Sequence, residues 1–70
     1  MFVQMNGEKV QELRKERGFS KRALAKKAGV VEHTIKRAED SQRMMPQTVR
    51  LIAGALRVDP QSLGTRSQRS

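Results

Sequence analysis

Residues Ser20–Asp40 read SKRALAKKAGVVEHTIKRAED, two short helical segments on either side of a glycine. Ser20 suits an N-cap, because its hydroxyl can accept from a first-turn N–H. Phe19 before it and Leu24 after it have the spacing of a hydrophobic staple, although Ala23 stands where a capping box would need Glu or Gln. The helix that starts here is expected to end near Lys27 or Ala28. Gly29 permits the positive φ of a tight helix–helix turn. A following helix is expected over roughly Glu32 to Glu39, with Ile35 and Ala38 facing inward and Val30 or Val31 at its entry. Three residue types make the pair self-consistent. Ala25 is small enough for two helices to cross closely, Gly29 makes the turn, and Ile35 anchors the later helix on the earlier one. Such packing leaves the outer face of the later helix free to enter a DNA major groove.

Outward from this unit, every readable segment is helical, and no strand alternation extends past the first five residues. Asn6 or Gly7 can start a first helix with Val10 and Leu13 on one face and Met5 just before them; Gly18 reads as its C-terminal cap. Asp40 to Met44 reads as a polar loop. Pro46 suits the first turn of a fourth helix. Val49, Ile52, Ala53 and Leu56 there follow the i, i+3, i+4, i+7 pattern of an amphipathic helix. Gly54 within it should cost up to ~1 kcal/mol relative to alanine, a cost that close packing would explain. Asp59-Pro60 opens a last helical turn ending at Leu63. The expected organisation is an N-terminal arm over 1–6, one all-α domain of five short helices over 7–63, and a flexible basic tail over 64–70. Its core would gather Met5, Val10, Leu13, Phe19, Leu24, Ala25, Val30, Ile35, Val49, Ile52, Ala53, Leu56 and Leu63.

Length and charge bound the function. A chain of 70 residues makes at most one domain, and chains this short hide only about 60% of their unfolded surface. With no cysteine, stability must come from packed helices or a partner chain. Fifteen Lys and Arg against seven Asp and Glu give a net charge of +8, which predicts attraction to a polyanion, either nucleic acid or an acidic membrane face. There is no Trp or Tyr, and Phe2 and Phe19 are the aromatic residues. Readers of single-stranded nucleic acid and RNA modules use aromatic stacking platforms, so duplex DNA fits better. No apolar run approaches the ~18 residues of a membrane span, and Met1 to Met5 lacks the basic and long apolar regions of a signal peptide. The protein is therefore expected in the cytoplasm.

Several stretches together resemble the phage-repressor-like helix-turn-helix family, the XRE group that includes Cro and the lambda repressor. The opening Gly7-Glu8-Lys9-Val10-Gln11-Glu12-Leu13-Arg14-Lys15-Glu16-Arg17-Gly18-Phe19-Ser20 is similar to its first helix. Ala23 to Val30 resembles its second helix and turn, and Thr34 to Glu39 its third. Pro46 through Leu63, including Val58-Asp59-Pro60-Gln61-Ser62-Leu63, is similar to its last two. The resemblance implies duplex DNA binding, usually in transcriptional regulation, and a bacterial, phage or plasmid origin. It departs from the family pattern at three places. Lys21 stands where glutamine is common, keeping a phosphate contact but losing an amide that both donates and accepts. Val31 replaces a serine cap on the recognition helix, and Met45 replaces a serine before Pro46. Each lost cap costs on the order of 1 kcal/mol.

The family positions exposed on the third helix are Val31, Glu32, His33, Lys36 and Arg37. Arg37 or Lys36 can bridge guanine O6 and N7 or clamp a phosphate, and Glu32 can accept from cytosine N4. Val31 can pack on a thymine methyl, and His33 can donate or accept. Glu32 also suits a helix N-terminus for its dipole alone. Lys21, Arg22 and Arg43 are expected on the phosphate backbone. Lys26, Lys27 and Arg50 add charge, and Lys26 and Lys27 read equally well as a solvated face. Cations supply affinity and the recognition face supplies choice. A sequence-specific regulator, a repressor binding as a homodimer, is the leading expectation. The alternative is a protein-binding module of the same fold, an antitoxin or an adaptor, with weak or non-specific DNA binding. Candidates for the dimer surface are Phe2, Val3 and Met5, the region of Leu56, Val58 and Leu63, and Met44 and Met45. No metal is expected at His33, which lacks a second ligand at suitable spacing. No catalytic residues, cofactor or small-molecule ligand are expected either.

Overall fold

The computed structural model describes residues 2–66 of the chain. Four α-helices are present: α1 (Gly7–Glu16), α2 (Lys21–Ala28), α3 (Glu32–Glu39) and α4 (Pro46–Leu56). A single 3-10 turn, Pro60–Ser62, takes the place of the expected fifth helix. Three short strands, β1 (Val3–Met5), β2 (Arg43–Met44) and β3 (Gly64–Arg66), form an antiparallel sheet in the order β2-β1-β3. The all-α five-helix expectation is therefore corrected to a mainly helical domain that closes its two ends with a sheet.

The sheet also corrects the expected organisation. Val3 pairs with Met44 on one side and Arg66 on the other, so the segment expected as an arm is the central strand. The start of the expected tail is an edge strand; residues 67–70 lie outside the described residues. Val3 and Met5 point into the core and Gln4 points out, which is the period-2 pattern of a half-buried strand. Gly64 belongs here because a Cβ would lie 2.4 Å from the Gln4 carbonyl oxygen.

All four helices end the same way. The residue after the C-cap region turns left-handed, and two amides fold back onto the last carbonyls. In α1, Gly18 N donates to Lys15 O and Phe19 N to Arg14 O; in α2, Gly29 N donates to Lys26 O and Val30 N to Ala25 O. Glycine occupies the left-handed position in both, at φ 72° and 77°. In α3 and α4 the same position is held by Ser41 and Arg57, at φ 61° and 59°. The serine earns its place, since Ser41 Oγ accepts from Gly7 N at 2.9 Å. Helix starts follow their local chemistry too. Asn6, Ser20 and Asp59 accept from Lys9, Ala23 and Gln61 amides, whereas Val31 and Met45 make no side-chain cap.

The core packs around Leu24, Ile35, Ile52, Leu56 and Leu63, each essentially inaccessible; burying one such side chain contributes about 1.5–3 kcal/mol. Val10, Leu13, Ala25, Val49 and Ala53 join them, with Phe19 and Val30 half-buried against the cluster. Ala28, Ala38, Met44 and Ala55 are buried as well. Gly54 corrects one expectation. It is exposed, and a Cβ there would meet nothing within 4 Å, so close packing does not explain it. Gly7 shows the opposite case. A Cβ at Gly7 would lie 2.1 Å from the Glu39 carbonyl oxygen, so glycine lets the start of α1 touch the end of α3.

Most residues expected to form a dimer surface are already used. Val3, Met5, Met44, Leu56 and Leu63 are buried within the domain and Val58 is half-buried. Among the described residues, Phe2, Val31, Met45 and Leu51 are the large apolar side chains left exposed.

Candidate nucleic-acid interface

Helix α3 is amphipathic in a way that fixes which face is free. Ile35 and Ala38 are fully buried, and Val31, Glu32, His33, Lys36 and Arg37 are exposed. The expected recognition residues therefore share a solvent-facing surface on and beside one helix. α3 packs on both α2 and α1, so its orientation is set from two sides.

The contact with α1 is polar and largely dry. Arg14, in the third turn of α1, donates from Nε to Glu39 Oε2 at 2.5 Å and from Nη2 to Glu39 Oε1 at 3.3 Å. Its Nη1 donates to Phe19 O at 2.9 Å. The two side chains are only 10% and 6% exposed. A planar guanidinium matches a carboxylate bidentately, so the pair fixes the end of α3 in direction as well as distance. No buried side-chain nitrogen or oxygen lacks a partner among the described residues.

The α3–β2 connection is tied down as well. Gln4 Nε2 donates to Ser41 O, Gly7 N to Ser41 Oγ, and Met5 N to Gln42 O. Gln42 N returns to Arg37 O at 3.2 Å, and Arg37 Nε donates to Gln42 Oε1 at 3.0 Å. Arg37 and Arg43 line one shallow groove together with Thr34, Met44, Met45, Thr48 and Phe2. Two of the expected DNA-contacting cations are thus brought together, one from α3 and one from β2.

Lys21 and Arg22 form the first turn of α2, behind the Ser20 cap; Lys21 is half-buried and Arg22 exposed. The start of a helix offers unpaired amides and a positive dipole end, so these cations add to a site already suited to an anion. Lys26, Lys27 and Arg50 are exposed. Among the described residues, none of Lys21, Arg22, Lys26, Lys27, Lys36, Arg37, Arg43 and Arg50 forms an ion pair; the pairs present are Lys9–Glu12, Arg14–Glu39 and Glu16–Arg17. Glu12, Glu16 and Glu39 pair with cations of α1 and its C-cap, which leaves the cations of α2, α3 and β2 available to a polyanion.

Sequence reasoning missed Arg14, Glu39, Ser41 and Gln42. Arg14 resembles any exposed helical cation when read by itself, and Glu39 any C-terminal helix carboxylate. A hint existed at Arg14: it follows Leu13 and lies four residues after Val10, at the edge of the apolar face of α1.

A helix–turn–helix at α2 and α3, buried on one side and basic and exposed on the other, is now defined in space. A family model for the helix-turn-helix domain matches residues 7–63. The chain belongs to that family. It is a DNA-binding, transcription-regulating type of domain. Among solved structures it is similar to the restriction-modification controller protein C.AhdI from Aeromonas hydrophila, at TM-score 0.74 and 28% identity, covering 80% of this chain and 86% of that one. A comparison with curated proteins found no match. The helix-turn-helix assignment agrees with the phage-repressor-like resemblance of the sequence. Among the described residues, no group of three or more His, Cys, Asp or Glu side chains can hold a metal ion. No helix there is long and apolar enough to cross a membrane.

Proposed function

We propose that the protein is a sequence-specific transcriptional repressor that inserts α3 into the major groove of duplex DNA. The observation that carries this reading is the division of α3. Ile35 and Ala38 are sealed into the core, and Glu32, His33, Lys36 and Arg37 project from the other side. In this reading those four, with Val31 at the helix entry, face base edges. Lys21, Arg22 and Arg43 hold phosphates and supply affinity that is independent of sequence. The reading involves no catalytic step, cofactor or small-molecule ligand, and places the protein in the cytoplasm beside its DNA.

One small domain makes few contacts, and a two-fold pair doubles them, so the repressor acts as a homodimer on a symmetric site with half-sites about one helical turn apart. The likeness to a restriction-modification controller protein supports a regulatory role.

Selection from a random duplex pool with the full chain tests the reading. It predicts enrichment of one motif with two-fold symmetry. Placed across a promoter, that motif should let the protein silence a reporter. A pool that stays random overturns sequence-specific binding, and a reporter that rises overturns repression.

A further inference from the structure

Arg37 is held by Gln42 twice. The Gln42 backbone N–H donates to Arg37 O at 3.2 Å, closing the C-terminal turn of α3, and the Gln42 side-chain Oε1 accepts from Arg37 Nε at 3.0 Å. Gln42 is itself fixed from behind, because its carbonyl accepts from Met5 N in β1 and its neighbour Ser41 is tied to Gln4 and Gly7. A free arginine carries about 2 kcal/mol of rotamer entropy. Here the side chain is anchored through Nε, which leaves the edge formed by Nη1 and Nη2 unengaged among the described residues. That edge is a two-donor fork, the shape that matches O6 and N7 of guanine. Arg43 lines the same groove.

We propose that Gln42 is a positioning residue that aims the Arg37 guanidinium at one base of the target, making a residue outside the recognition helix a determinant of specificity. The proposal rests on the reading of α3 as the base-reading helix. Gln42 carries no charge, so it adds nothing to the salt-dependent attraction to phosphates. Its effect falls on choice among sequences rather than on general affinity.

The test compares wild type with Arg37→Ala, Gln42→Ala and Gln42→Glu by selection from a random duplex pool and by binding at several salt concentrations. Arg37→Ala should abolish preference at one base position per half-site. Gln42→Ala should weaken preference at that same position about threefold to fivefold, the worth of one net hydrogen bond, with other positions and the salt slope unchanged. Gln42→Glu keeps the acceptor oxygen and should keep the preference, which as a ratio is insensitive to added repulsion from phosphate. The Arg37 Nε–H resonance in 15N NMR of the free protein should be protected in wild type and Gln42→Glu and exchange-broadened in Gln42→Ala. Full preference in Gln42→Ala at the position lost in Arg37→Ala overturns the role of Gln42 alone. Unchanged preference in Arg37→Ala overturns base reading by Arg37 and this proposal together.

Discussion

Arg14 of α1 grips Glu39, the last residue of α3, through a bidentate pair in which both side chains are about nine-tenths buried. The end of the recognition helix is thereby bolted to a helix that carries none of the proposed DNA contacts. Ile35 holds the middle of α3 by apolar packing and Arg14 holds its end by charge. The two together leave the helix little freedom to tilt.

Removing one partner of a buried ion pair strands the other, which costs about 3–5 kcal/mol. Arg14→Met should lower the stability of the domain by that order in urea titration. Arg14→Met combined with Glu39→Met removes both charges and should recover most of the loss. Strictly additive single and double variants would show that the pair does not act as a unit.

Gly7 and Gly54 should respond oppositely to alanine. At Gly7 the new Cβ meets the Glu39 carbonyl oxygen, and such overpacking costs about 2 kcal/mol. At Gly54 it meets open space within a helix, and replacing a mid-helix glycine gains roughly 0.5–1 kcal/mol. Thermal unfolding separates them, because ~1 kcal/mol moves the midpoint of a domain this size by about 4–8 °C. A destabilised Gly54→Ala would mean that something covers that face.

The two non-glycine left-handed residues should differ as well. Arg57 caps α4 at φ 59° at a backbone cost of roughly 1–2 kcal/mol. Arg57→Gly should therefore stabilise the fold. Ser41→Gly relieves the same strain but loses the bond from Gly7 N to Ser41 Oγ, so its net effect should be near zero or unfavourable. Equal gains at the two positions in chemical denaturation would contradict the role given to Ser41.

The helix pair was legible because its signals are local. Ser20 capped α2, Gly29 took the left-handed turn, and α3 ran from Glu32 to Glu39 as its pattern indicated. Ala25 and Ile35 are buried where the crossing required them. The sheet was not legible, because its strands are two or three residues long and are joined by backbone groups common to all residues. β3 carries no apolar side chain at all, and only its pairing with Val3–Met5 defines it. The same limit hid the clamp, whose partners lie 25 positions apart. It also hid Gln42, which in sequence is one polar residue in a polar loop. The exposed face of α3 followed from the family resemblance; the contacts that steady it were long-range.

The central claim is that this chain binds duplex DNA with cations outside α3 supplying affinity and α3 supplying choice. Its most direct test is a titration of the full chain against its selected duplex and a random duplex at several salt concentrations, for wild type and Lys21→Ala. Log affinity should fall steeply and linearly with log salt, and Lys21→Ala should weaken both duplexes alike while reducing the slope by about one. Undetectable or salt-independent binding to every duplex would contradict the account.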